Sequence, residues 1–214
     1  MKSNIFLRVI TCLLFLGYIN PASAVVVERQ EAFNFAADKG RELLTTFQEP
    51  DLSERYAKLD NLFKNYIDTA YIARFIAGKH WRKMTQKQQQ QYYDIFVRYG
   101  LAYYKTLPLD IARTVDYKIL TVENDTDFTN VTALVNYQFN NQPQSITLVF
   151  RIHQTPGGIK AVDVKVAETS MLLTYRSKFY KMMAEADGEI EWFLEDFADM
   201  TQALENSLTE NTLQ

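Results

Sequence analysis

The chain has 214 residues, 47% of them hydrophobic, and its 23 basic against 26 acidic residues give a net charge of −3. A mildly acidic chain with dispersed lysines is a poor candidate for binding nucleic acid or for steady electrostatic adhesion to an anionic membrane surface. The single cysteine, Cys12, lies in a segment read below as removed, so the rest of the chain has no disulfide, thiol nucleophile or cysteine metal ligand. Such a chain must be held together by its core alone.

In chain order, Lys2 and Arg8 give a basic start, residues 9–19 are almost wholly apolar, and Ala22-Ser23-Ala24 supplies small residues before a cut. These three parts in this order predict a secretory signal peptide over residues 1–24 and a single domain over 25–214. The apolar run falls short of the ~20 residues that span a bilayer. Cleavage after Ala24 removes Lys2 and Arg8 and no acidic residue, leaving 21 basic and 26 acidic residues, a charge of −5. The exported chain is expected to be soluble.

Residues 28–47 carry Phe33, Ala37, Leu44 and Phe47 at helical spacing, and Pro50 ends that helix. Asp51 and Glu54 suit a new helix start, followed by Leu52, Tyr56, Leu59 and Phe63. A third helix is predicted over 67–77 with Gly78 as its C-cap. Thr85 and Gln88 form a capping box for a fourth, whose stripe is Tyr92, Ile95, Phe96, Tyr99 and Tyr103 before Pro108.

The period then changes to two. A first strand is expected around Val115, Tyr117 and Ile119. Val131, Ala133, Val135, Tyr137 and Phe139 alternate with polar residues, then Ile146, Leu148, Phe150 and Ile152, then Val162, Val164 and Val166, with turns at 140–143 and 156–158. Short turns between alternating runs mean an antiparallel meander of about four strands. Helices return over 171–183 and 189–208. The fold class is α+β, with helices packed on one face of a twisted sheet.

Signs of catalysis are thin. His80 and His153 lie in separate regions, with no serine elbow, glycine-rich phosphate loop or His-Glu-x-x-His pair beside them, and both read as solvent-facing. Glu123, Asp125 and Asp127 imitate a calcium loop, but Phe128 stands where glycine is needed and Leu134 where the bidentate glutamate should be, so a hairpin turn is expected. The acidic residues Glu189, Glu191, Glu195, Asp196 and Asp199 surround a helix start, where carboxylates suit the dipole. No enzyme activity, metal or cofactor is expected.

Two blocks carry a resemblance. The stretch Tyr71-Ile72-Ala73-Arg74-Phe75-Ile76-Ala77-Gly78-Lys79-His80-Trp81-Arg82-Lys83-Met84-Thr85, followed by Gln88, Tyr92 and Phe96, resembles the MlaC family, also called the toluene-tolerance family. The second block agrees: Val162-Asp163-Val164, then Ser170, Met171, Tyr175, Arg176, Ser177 and Phe179. The similarity covers about residues 30–200. It departs from the family pattern at Ile159, where a tryptophan is usual, and at Ala167-Glu168-Thr169-Ser170, where Glu-Gly-hydrophobic-Ser is usual. The resemblance implies the periplasmic component of the maintenance-of-lipid-asymmetry system. Such a component carries phospholipid between an outer-membrane lipoprotein complex and an inner-membrane ABC transporter with a ring of MCE domains. Phospholipid would be cargo, not cofactor.

Two acyl chains hold about 30 methylenes at roughly 0.8 kcal/mol each, so carrying them through water demands an apolar cavity. With the cavity taken from the resemblance, the sheet face (Val131, Val135, Tyr137, Leu148, Phe150, Val164, Val166) and the helix faces (Tyr71, Phe75, Phe96, Tyr99, Met171, Leu172, Tyr175) supply candidate walls. Patterning alone does not separate a hollow core from a filled one, so a periplasmic protein-binding adaptor with a filled core stays open, as does a small hydrolase or isomerase on the same scaffold. Arg176 is the cation expected near the pocket mouth. A surface ion pair is favoured there over a bidentate phosphate contact.

Overall fold

Glycine and capping chemistry set most helix ends. A computed structural model describes residues 26–106 and 114–212, with side chains described through 208; the expected signal peptide, with Cys12, and Pro108 lie outside those residues. Helix α1 spans Arg29–Phe47, and the Glu28 carboxylate accepts from the Gln30 and Glu31 amides at its start. Helix α2, Leu52–Tyr66, is capped by Asp51, which accepts from the Glu54 amide.

Helix α3 spans Thr69–Ala77, two residues shorter than expected at its start. Ile67 is drawn into a parallel bridge with Ala161, and Asp68 serves as N-cap, accepting from the Tyr71 amide. The helix stops at Gly78, whose φ of 53° and ψ of −120° suit glycine. A Cβ there would meet the Tyr180 hydroxyl at 2.5 Å and an Arg176 nitrogen at 2.9 Å. One 3₁₀ turn, Trp81–Lys83, leads to helix α4, Gln86–Lys105, which opens with the Thr85–Gln88 capping box.

Strands β1 (Asp116–Asn124), β2 (Thr129–Phe139), β3 (Gln142–Thr155), β4 (Gly158–Val166) and β5 (Thr169–Ser170) form one antiparallel sheet in sequence order. The fifth strand has two residues, too few to show a period. The Glu123–Asp127 segment makes the β1–β2 hairpin, closed by the Asp125 amide donating to the Phe128 carbonyl. Among the described residues, no group of three or more His, Cys, Asp or Glu is arranged to hold a metal. Helix α5, Met171–Glu185, and helix α6, Ile190–Thr212, complete the chain.

Three packing regions result among the described residues, the smallest of them around Phe47 and Leu59. Helices α3, α4, α5 and α6 enclose an aromatic core around Tyr92, which is fully buried and touches Phe179 and Phe193. The Phe179 and Phe193 ring centroids lie 4.6 Å apart. The Tyr92 hydroxyl donates to the Ala73 carbonyl at 3.1 Å, and burial pushes its pKa far up. The second region lies on the sheet, where Val131 and Ile152 pack on Val27 and Ala32. Phe33 is 42% exposed, because the buried side of α1 runs through Ala32 and Phe47 with Phe35 and Leu43 partly covered.

Both histidines are buried, which corrects the solvent-facing expectation. His80, 9% exposed, stands edge-on to Tyr180 at 5.0 Å. His153, 6% exposed, lies between Tyr71 and Phe128 with ring centroids at 5.7 and 5.8 Å. Each ring is covered by aromatic neighbours brought from other elements, which local composition does not reveal.

Candidate functional site

An apolar hollow lies where α1 and α2 cross the sheet. On α1, Phe35, Lys39 and Leu43 follow one another at steps of four, so they share a face. Leu62, Phe63 and Tyr66 of α2 close one side, and Tyr104 of α4 another. The floor is the sheet: Val131 pairs with Phe150 and Ala133 with Leu148, and residues so paired point to the same face. Together these elements bound an apolar pocket of about 260 Å³.

Polar atoms at this pocket are few and mostly engaged. The Tyr117 hydroxyl donates to the Ala37 carbonyl at 2.6 Å, and its ring lies where a Cβ on Gly40 would come within 2.8 Å. That close approach brings α1 down on β1. Burial pushes the Tyr104 hydroxyl up to about 12. Among the described residues, Lys39 is the one charged side chain in the lining. Its ammonium lies 2.7 Å from a Glu42 oxygen, 2.9 Å from the Tyr66 hydroxyl and 4.1 Å from the Tyr66 ring centroid.

The residues singled out in the sequence fall into separate places. Val131, Val135, Leu148 and Phe150 line this pocket. Val164 and Val166 share its face as the cross-strand partners of Phe150 and Leu148, but stand outside the lining. Tyr137 pairs with Gln144 farther out along the sheet. Phe96, Tyr99, Leu172 and Tyr175 belong to the aromatic helical core, and Met171 is the half-buried first residue of α5. Tyr71 and Phe75 stack on each other and border a more open groove of about 790 Å³ with Arg74, Trp81 and Tyr93, apart from the pocket. The wall formed by α1 and α2 was missed. Its signal was the four-residue step of Phe35, Lys39 and Leu43, masked by a lysine in the middle.

Arg176 is placed differently from either expectation. Its guanidinium lies over the rings of Phe75 at 4.9 Å and Tyr180 at 5.4 Å and donates to the Tyr180 hydroxyl. It is outside the pocket lining, and the ion pairs found among the described residues do not include it. The two aromatic faces offer it a half-buried seat with no carboxylate needed.

Asp163 explains the second sequence block. Its carboxylate accepts from the Ser170 hydroxyl at 2.7 Å and from the Leu172 amide at 2.9 Å. Ser170 in turn accepts from the Leu173 amide at 3.1 Å. A strand aspartate and a serine seven residues later therefore cap α5 jointly, satisfying amides that helix geometry leaves open.

Comparison with known proteins agrees with this architecture. The sequence model of the MlaC protein family matches residues 39–199. The chain belongs to the MlaC family. A solved structure of similar fold is the phospholipid-binding protein from Ralstonia solanacearum, determined in complex with a phospholipid at 1.53 Å. It is 21% identical, with a TM-score of 0.64 over 83% of this chain and 99% of that one. At that identity the likeness establishes a shared fold. No curated protein matches the chain. In this MlaC chain Gly78 and Asp163, quoted from the two sequence blocks, both act at helix ends. No helix among the described residues is long and apolar enough to cross a membrane.

Proposed function

We propose that this chain is a phospholipid carrier and that acyl chains lie in the pocket between α1, α2 and the sheet. The observation that carries the reading is the pocket itself: among the described residues its lining is aliphatic and aromatic, with one cation, Lys39. Membership of the MlaC family and the phospholipid held by the Ralstonia protein support it. Burying about 30 methylenes at roughly 0.8 kcal/mol each offsets the ~20 kcal/mol that exposed chains would cost in water.

At about 260 Å³ the pocket is smaller than the ~300–1,000 Å³ that encloses drug-sized ligands. Two full chains require α1 and α2 to move off the sheet. The contacts there are modest ones: small clusters around Val131 and Leu59, against the continuous aromatic core of the other helices. Opening this side leaves the larger core intact.

The place of action follows from the same reading. Export through residues 1–24 with cleavage after Ala24 delivers the chain to the periplasm. There it passes lipid between an outer-membrane lipoprotein complex and an inner-membrane ABC transporter with an MCE-domain ring. The work is binding and release, with no bond made or broken. Lipid extraction and mass spectrometry of the purified, exported protein test the reading: two-chain phospholipid near one per chain supports it. Lipid-free protein that still captures a periplasmic partner would favour an adaptor with a closed core.

A further inference from the structure

Lys39 stands where the wall of the pocket would otherwise continue in apolar residues. It follows Phe35 and precedes Leu43 by four residues each, so its stem belongs to the pocket-facing stripe of α1 while its side chain keeps 30% of its surface in water. That is how a lysine behaves when its carbons are buried and its charge is held at a boundary. The ammonium has three N–H donors. One meets Glu42 and another the Tyr66 hydroxyl, so the third is available to a ligand oxygen. Tyr66 accepts from Lys39, which leaves its own O–H to donate. The hydrogen bonds to Glu42 and then Tyr66 hold the amine above its ordinary value, so it stays charged at neutral pH.

We propose that Lys39 and Tyr66 form the polar end of the pocket, a site for the anionic oxygen of an acyl-bearing ligand, either a phosphate diester or a fatty carboxylate. This rests on the acyl-binding reading given above. The ligand enters with its chain between α1, α2 and the sheet and its anionic oxygen facing the third ammonium N–H and the Tyr66 O–H. Glu42 is the resident counter-ion. Its side chain is 42% exposed, and an exposed pair of this kind is weakly held, so it can turn to water as the ligand oxygen arrives. The aromatic face of Tyr66 beneath the ammonium keeps the charge in place during the exchange. The site explains why a cation is tolerated in an otherwise apolar lining.

The test uses matched ligand pairs and the exported protein. Uptake from neutral carrier vesicles is measured for phosphatidylglycerol against diacylglycerol with the same chains, and for oleate against methyl oleate. Wild type is expected to prefer the anionic member of at least one pair. Lys39→Gln should reduce that preference about tenfold, Tyr66→Phe should reduce it several-fold, and Lys39→Arg should largely restore it, each preference being taken relative to the same variant's own uptake of the neutral member. A Lys39-dependent preference in the first pair identifies a phosphate diester, and in the second a carboxylate. Thermal melts of all three variants separate loss of fold from loss of preference. Equal preference in wild type and Lys39→Gln, with lipid still taken up, overturns the head-group site and leaves the carrier reading standing. Failure of wild type to take up any of the four ligands overturns the carrier reading itself.

Discussion

Nε2 of His153 lies 2.9 Å from Oδ2 of Asp68, tying strand β3 to the first turn of α3. The other Asp68 oxygen accepts from the Tyr71 amide, and the Asp68 amide donates to the Ala161 carbonyl on β4. One residue between α2 and α3 thus joins a helix start to two strands. His153→Leu removes one partner of a buried pair, and an unsatisfied buried polar group costs about 1–3 kcal/mol. Urea unfolding of His153→Leu, Asp68→Asn and the double variant is expected to show less loss in the double than in the sum of the singles. Strict additivity would mean the contact contributes nothing.

His80 should make the protein less stable in mild acid. Burial, and after it the charges of Lys79 and Lys83, hold its pKa below the ordinary value of 6.5. Between the folded value and 6.5, the unfolded chain carries a proton at this site that the folded chain does not. The stability contribution is therefore fully present above 6.5 and declines as pH falls through 6.5 towards the folded value. His80→Gln should flatten the stability profile just below pH 6.5 relative to wild type, measured by urea midpoints across pH 5 to 8. Parallel profiles would contradict it.

The turn between β4 and β5 stores strain. Ala167 has φ 46° and Glu168 φ 69°, a conformation that costs a non-glycine residue about 1–2 kcal/mol. The family pattern places glycine at the position Glu168 occupies. Glu168→Gly should raise stability by roughly 0.5–1 kcal/mol after the added entropy of the unfolded chain is counted. A lower urea midpoint for the variant would show that the Glu168 side chain contributes more than its backbone strain removes.

Phe150 and Val164 are cross-strand partners on one face, yet only Phe150 lines the pocket. Phe150→Trp should lower bound lipid per folded molecule, because the larger ring takes space an acyl chain needs. Val164→Trp should lower it less and act more through overpacking, at about 1–3 kcal/mol of stability. Lipid per chain, measured beside the thermal midpoint, separates the two effects. Equal lipid in Phe150→Trp and wild type would place the chains elsewhere.

The architecture was legible where local chemistry decides it. The Thr85–Gln88 capping box, the Gly78 stop and the alternation of Val131, Ala133 and Val135 each act within a few residues, and the structure keeps all three. Strand β5 was not legible, since two residues carry no period. The candidate site was legible on one side only. Alternation shows which side of the sheet is apolar, but not which helices cover it, and that depends on contacts distant in sequence, such as Tyr117 to Ala37, 80 residues apart, and Tyr104 to Phe47. Of the helix residues named as candidate walls, Phe96, Tyr99, Leu172 and Tyr175 pack in the aromatic core and Tyr71 and Phe75 border the outer groove. The burial of His80 and His153 was invisible for the same reason: both are covered by rings from other elements.

The most direct test is where the acyl chain lies. A phospholipid with a photoreactive group near the chain end, loaded into the purified protein and irradiated, marks the residues that surround it. The carrier account expects labelled peptides chiefly from residues 35–44, 62–67, 131–135 and 148–152, four of the stretches that wall the pocket. Label confined to Tyr71, Phe75, Trp81 and Tyr93 in the outer groove, or to the aromatic core of α4 and α6, would contradict it.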